Sequence, residues 1–331
     1  MSDRMISRRA VMLGGAGALA LGRSTSDAWA QSGLAGRTIK IIYPFAAGST
    51  GDAIARIVSE PLSRLVSASI IVENRTGAGG RIGAQAVVNS APDGTTLLLA
   101  TLPLISLYQH SYDRVGYDSF VDFQPISQVA LFDVALVTGP QTKINTIQEL
   151  IDWCKKNPTL ANYGSPGAGG IGHLVALMFA QSAKLDLKHI SYRGPSLAVN
   201  DVVAGQIPFA SVPSGDCIAL HKAGAVRMVA VSGKQRLALV PDVPTLIETG
   251  IPIDGSAWYA MYAPAKTPAT IVNALSLAIK EVLSMTSVRE RLEGLALVPT
   301  GTSPEELDRI GHAGSDLWGP IVKLSGFKPD Q

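Results

Sequence analysis

The residues best placed to do chemistry in this chain are small ones. Tyr43-Pro44-Phe45-Ala46-Ala47-Gly48-Ser49-Thr50-Gly51-Asp52 follows the apolar run Ile39–Tyr43 and leads into Ala53-Ile54-Ala55-Arg56. The pattern reads as strand, turn, helix start. A turn of Ala, Gly, Ser and Thr leaves backbone N–H groups open where the helix dipole is positive, and an anion is favoured there. The same residues also make an ordinary tight turn with Ser49 or Thr50 as its cap. Gly77-Ala78-Gly79-Gly80 and Gly167-Ala168-Gly169-Gly170 are near-identical tetrads, each after a short strand and before a helix. They read either as two anion-accepting turns facing one cleft or as a chance recurrence of small residues.

Reactive constellations are lacking. Gly164-Ser165-Pro166-Gly167 is not G-x-S-x-G, and no G-K-[ST] follows a glycine loop. Gly167–Gly172 does read G-x-G-x-x-G, with Asp186 near the distance expected of a ribose-binding acid. Its preceding strand is short and interrupted by Pro166, so dinucleotide binding is the weaker reading. His173 could be a base, a ligand donor or a residue of a capping region. Asp52 and Arg56 stand at i, i+4 and read first as a helix pair, with Asp52 also suiting the dipole. Arg75, Arg81 and Arg193 lie by the turns and could pair with a carboxylate or stay solvated. His110, His173, His189, His221 and His312 are scattered, and no C-x₂-C or H-x₃-H occurs, so no metal site is expected. Cys154 and Cys217 could pair in an oxidising compartment or remain buried thiols.

The elements that must position these turns repeat one grammar. Thr38–Tyr43, Ser69–Glu73 and Thr95–Ala100 read as strands, separated by helices over Asp52–Leu65 and Arg81–Asn89. This is the βαβαβ order of an open parallel sheet with helices on both faces. Residues 102–127 are less regular, and Val129–Gly139 reads as one strand leading into a second lobe. That lobe repeats the order, with strands at 162–164, 189–192, 207–212 and 226–231 and helices between them. After a stiff loop, Pro241–Thr245, the chain returns through Tyr259–Ala263 to a long helix from Pro268. Ligands of such sheets sit on the turns at the carboxyl ends of the strands.

The 331 residues are 47% hydrophobic and 16% charged, enough to bury a large core in two lobes. The first thirty read as an export signal. Arg4, Arg8 and Arg9 are followed by an apolar stretch to Leu21, too short to span a bilayer, and by the cleavage site Ala28-Trp29-Ala30. Ser7-Arg8-Arg9 looks like a twin-arginine signal, although Val11 departs from the usual Phe or Leu and leaves ordinary secretion open. The segment carries four of the 28 basic and two of the 26 acidic residues, leaving 24 of each. A net-neutral mature chain gives no sign of nucleic-acid binding.

Six stretches in order resemble the receptors of tripartite tricarboxylate transporters, the Bug family. Tyr43–Gly48 with Asp52 and Arg56 is similar to the family's P-F-x-A-G-G-x-x-D-x-x-A-R. Val72–Gly80 is similar to V-E-N-R-x-G-A-G-G, and Pro92–Leu97 to P-D-G-Y-T-L. Asn162–Gly167 with His173 is similar to N-Y-G-S-x-G…H, Tyr192–Gly194 to Y-K-G, and Pro241–Thr245 with Glu248 and Gly250 to P-D-V-P-T…E-x-G. The resemblance implies an α/β fold of two Rossmann-like lobes, of periplasmic binding protein type II, with a ligand cleft and two hinge crossovers. Residues 1–30 would be removed, 31–131 with 254–331 would form lobe 1, and 132–253 lobe 2. The implied function is capture of a small carboxylate in the periplasm and delivery to a permease of a large and a small membrane subunit, by a soluble monomer without enzyme activity, cofactor or metal. A sensing adaptor is the alternative reading. The implied ligand-binding residues are Phe45, Ala46, Ala47, Gly48, Ser49, Asp52, Gly77, Ala78, Gly79, Thr101, Tyr163, Gly164, Ser165, Gly167, His173, Arg193, Pro213 and Ser214. Two departures bear on the ligand. Ser49 stands for the usual second glycine. Ala210-Ser211-Val212-Pro213-Ser214 lacks the usual aspartate, with Asp216 only later. The serine could narrow the turn or add a hydroxyl donor, and the missing aspartate favours a mono- or dicarboxylate, aromatic ones included, over an amino acid.

Overall fold

The structure, a computed structural model, describes residues 33–325 and Phe327. The export signal expected at 1–30 lies outside the described residues. Thr38–Tyr43 (β1) is central to the first sheet and pairs in parallel with Ser69–Asn74 (β2) on one side and Thr96–Thr101 (β3) on the other. Helix α1 (Thr50–Val66) joins β1 to β2 and helix α2 (Arg81–Val88) joins β2 to β3. In α1, Ile54, Ile57, Val58, Leu62 and Val66 recur at helical spacing and all are buried. Ser67 ends that helix in the left-handed conformation, φ 52°, its N–H bonded to Ser63 O.

Residues 102–127 hold more structure than expected. Pro103–Leu107 forms a π turn, Tyr108–Ser111 a short helix (α3), and Phe123 opens a ten-residue strand, Phe123–Phe132 (β4). The single strand expected over 129–139 is two strands in different sheets. The chain leaves β4 at Asp133 and enters Val134–Thr138 (β5). Asp133 is spoken for at this break: its Oδ1 accepts from Ser256 Oγ at 2.8 Å and its carbonyl accepts from Ser214 N at 2.8 Å.

The second sheet adds Ile147–Lys156 (α4), Asn162–Pro166 (β6), Ile171–Ala183 (α5), Lys188–Tyr192 (β7), Pro195–Val203 (α6), Phe209–Pro213 (β8), Ile218–Lys222 (α7) and Arg227–Val231 (β9). The chain then returns through Ala257–Pro264 (β10), Ala269–Ser284 (α8), Thr286–Glu293 (α9), Val298–Pro299 (β11) and Pro304–Ser325 (α10). Sheet orders are β11-β4-β10-β3-β1-β2 and β7-β6-β8-β5-β9. Neither is the open parallel sheet expected. β10 lies antiparallel between β3 and β4, and β5 antiparallel between β8 and β9. Both are the strands by which the chain arrives from the other sheet. No crossover helix carries them back to the starting edge, so they enter in the opposite sense.

Several of the sequence motifs prove to be scaffolding. Asp93 Oδ1 accepts from Thr95 N and Oγ1, and Gly94 takes φ +78° where a Cβ would meet Ile271 at 2.5 Å. Glu248 Oε2 accepts from Thr245 N while Glu248 N donates to Thr245 Oγ1, a reciprocal cap on the turn Ile247–Thr249. Cys154 and Cys217 are free and buried. The larger apolar core runs through both sheets, and a smaller one packs under β5, β8 and β9. Among the described residues no single helix is long and apolar enough to cross a membrane, and no group of three metal-ligating side chains comes together.

Candidate ligand-binding site

The carboxyl ends of β1, β3, β4, β6 and β8 converge on one cavity between the sheets. It is lined by Tyr43, Phe45, Thr101, Pro103, Tyr108, Phe132, Pro166, Gly170, Ile171, Gly172, Pro195, Pro213 and Tyr259. Its walls are therefore aromatic rings and prolines, without a Lys, Arg or His side chain among them. Polarity comes from two sources. Helix α5 starts at Gly170–Gly172 with no side chain capping it, and these residues line the cavity, so the helix end whose backbone N–H groups lack intrahelical partners borders it. Thr101 Oγ1 is buried, lines the cavity and has no protein partner. The space is about 30 Å³, which at roughly 10–15 Å³ per water holds two or three water molecules.

The cavity is small because the sheets' turns touch. A Cβ on Gly167, at φ +92°, would stand 3.0 Å from Gly79 Cα. The two glycine tetrads thus meet each other across the cleft. Tyr108 OH donates to Gly79 O at 2.8 Å, and Tyr112 OH reaches across to Ala168 O at 2.6 Å. Arg81 lies over the Tyr112 ring at 3.8 Å. Thr50 N, at the start of α1, donates to Asp216 Oδ1 of the other sheet at 2.8 Å.

Of the residues expected from the sequence, Phe45, Thr101 and Pro213 line the cavity. Gly77, Ala78, Gly79 and Arg193 line an adjoining groove of about 130 Å³, with Phe45 as the wall between. The others face elsewhere. Ala47 and Gly48 are exposed, and Ala46 packs against Gly194, whose Cβ would meet it at 2.9 Å. Ser49 Oγ turns inward to Ala46 O and Tyr43 OH, at 3.0 and 3.2 Å. Asp52 holds the turn from behind, accepting from Gly48 N, from Arg56 Nε and Nη2, and from Asn74 Nδ2. Burial pushes its carboxyl up, but these donors outweigh that and hold it below the ordinary range. Ser214 is buried, with Oγ unpartnered.

Tyr163, Gly164, Ser165 and His173 form the layer under the Gly167 turn. The Tyr163 ring stacks on Phe209, and Gly164 leaves room for Ile207 and Tyr192. Ser165 Oγ and His189 Nε2 lie 2.8 Å apart, and the His173 and His189 rings stack at 4.0 Å. His173 Nδ1 accepts Gly169 N at 2.9 Å, so that nitrogen carries no proton. Burial and the neighbouring His189 push His173 down to about 3, and it stays neutral. It is a fastener of the turn, with neither the exposure nor the charge for acid–base work. β6 runs through Pro166 and β6–α5–β7 is a βαβ unit, but the Gly167 end of the G-x-G-x-x-G run is packed against Gly79.

Sequence reasoning missed Tyr43, Tyr108, Phe132 and Tyr259 as cavity walls. Among the buried aromatics of these elements only strand register and the sheet switch at Asp133 tell which rings face the cleft.

Two α/β sheets, two crossovers and a cavity at the strand ends define a two-lobed solute-binding receptor. A family profile, Tripartite tricarboxylate transporter family receptor (TctC), matches residues 54–327. A Pseudomonas sp. (strain P51) protein, "UPF0065 protein in tcbD-tcbE intergenic region", is 32% identical over 96% of this chain and 94% of its own length. The solved structure of periplasmic binding protein BugD is 27% identical, with TM-score 0.85 over 89% of this chain and 99% of that one. Rpa4515 of R. palustris, solved with adipate, is 26% identical at the same TM-score of 0.85, again over 89% and 99%. The chain belongs to the tripartite tricarboxylate transporter receptor family, a family of solute-binding receptors and not of enzymes.

Proposed function

We propose that this receptor works as a monomer in the periplasm, closes on a small mono- or dicarboxylate, aromatic ones included, and hands it to the large and small membrane subunits of a tripartite tricarboxylate-type permease. The observation that carries the reading is the open start of α5 entering an apolar cavity. Backbone N–H groups at a helix start match a carboxylate, and the rings and prolines match a hydrocarbon body. A relative solved with adipate, two carboxylates on a four-methylene chain, supports that chemistry. The cavity of about 30 Å³ does not admit such a solute as it stands, so the lobes part to load it. Mass spectrometry of solute released from the purified protein, followed by thermal shifts against linear, aromatic and amino-acid carboxylates, tests the reading. Stabilisation by non-amino carboxylates is expected. A response to amino acids alone would overturn it.

A further inference from the structure

Asp216 has a role that the carboxylate reading leaves unused. It sits at the end of the turn Ser214–Asp216, beyond β8; the residue is half-buried, and its carboxyl Oδ2 is shut off from solvent. Its Oδ1 takes the N–H of Thr50, the first residue of the seventeen-residue α1 of the opposite lobe. Its Oδ2 has no partner, and neither has the buried Thr50 Oγ1. Gly215 beside it fits only without a side chain, since a Cβ there would meet Leu295 O at 2.5 Å and Thr50 Oγ1 at 2.7 Å. The α1 start, where the sequence placed a solute anion, is thus filled by the protein's own carboxyl group.

We propose that Asp216 is the closing contact of this receptor, a lobe-2 carboxyl group seated at the lobe-1 helix start, which directs the solute's carboxylate to α5 instead. The inference rests on the lobes opening and closing around a solute, as above, but not on which solute that is. Closing moves Asp216 from water into a site where no cation offsets it. The titratable groups around it are the Tyr43 and Tyr259 hydroxyls and the Cys217 thiol, with Asp52 beyond Tyr43, and none is basic. Burial raises its pKa to about 7, with Thr50 drawing it back only in part. The closed form therefore binds a proton that the open form releases above the ordinary carboxylate range. This contribution to closure is complete at acid pH and is lost as pH rises through about 7.

The test combines small-angle scattering of the ligand-free chain with calorimetric titration of adipate between pH 6 and 8.5. The wild-type radius of gyration contracts toward pH 6, and adipate binds about tenfold tighter at pH 6 than at pH 8.5, one proton being taken up per closure. Asp216→Asn keeps an oxygen for Thr50 N but cannot titrate, so it stays compact and loses the pH dependence. Asp216→Ala stays expanded at both pH values and binds adipate more weakly. An Asp216→Ala chain as compact as the wild type at pH 6 would overturn the contact. A pH dependence that survives in Asp216→Asn, or is missing in the wild type, would overturn the proton coupling. Absence of adipate binding would count against that solute alone, because the scattering still decides on Asp216.

Discussion

Asp52 and Thr101 show how two polar residues near one cleft divide the work. Every oxygen of Asp52 is engaged by its own turn, α1 or Asn74, and the i, i+4 spacing to Arg56 already made that structural role the first reading. Thr101 Oγ1 engages nothing and lines the cavity. A buried hydroxyl without a partner costs stability, and a solute carboxylate can supply the partner. Thr101→Val should leave the ligand-free melting temperature unchanged or slightly raised, and weaken carboxylate binding by about three- to tenfold, one hydrogen bond of roughly 0.5–1.5 kcal/mol. Isothermal titration against adipate checks it, and unchanged affinity would remove Thr101 from the site. Ser49 and Ser165 carry the opposite lesson. Their types and places in the turns pointed to ligand donors, but both hydroxyls are used within their own lobe. A hydroxyl's direction depends on partners distant in sequence, such as His189, and residue type does not reveal it.

The glycine tetrads were legible as related elements facing one cleft, and the structure brings Gly79 and Gly167 together. Their repetition could not show that they pack on each other, because the distance between two turns is set by the lobes and not by local sequence. That packing makes Gly167 a gate on closure. Gly167→Ala adds a Cβ 3.0 Å from Gly79 Cα, so the closed form loses more than the open one. Its positive φ also adds strain, of order 1–3 kcal/mol. Gly224→Ala separates the two effects, since Gly224 has a similar φ of +73° and nothing within 4 Å of its Cβ. Both variants should lose similar stability in urea titrations, while only Gly167→Ala should lose solute affinity, by tenfold or more. Equal affinity in the two variants would show that the tetrads can part without harm to binding.

At the scale of the molecule, the alternation of strand, turn and helix made two α/β sheets readable, but not how tightly they are joined. β10 read as an ordinary strand and β5 only as the tail of one strand over 129–139, because their antiparallel placement follows from which lobe the chain has just left. The larger apolar core includes Leu104 and Ile105 from the first lobe and Leu174, Val175 and Phe179 of α5 from the second. Helix α10 returns from the end of the chain to pack on both the π turn and α5, and Phe327 packs at right angles to the His173 ring. The crossovers themselves are tied where Ser256 donates to Asp133. Lobes that share a core and a strapping helix should not melt independently. Calorimetry of the ligand-free chain should give one peak, with van't Hoff and calorimetric enthalpies equal. Saturating solute should move that whole peak upward, by about 2.7 kcal/mol of stability at a hundred times Kd. Two resolved peaks, with only one moved by solute, would mean that the shared core is too weak to couple the lobes and that α10 belongs energetically to one of them.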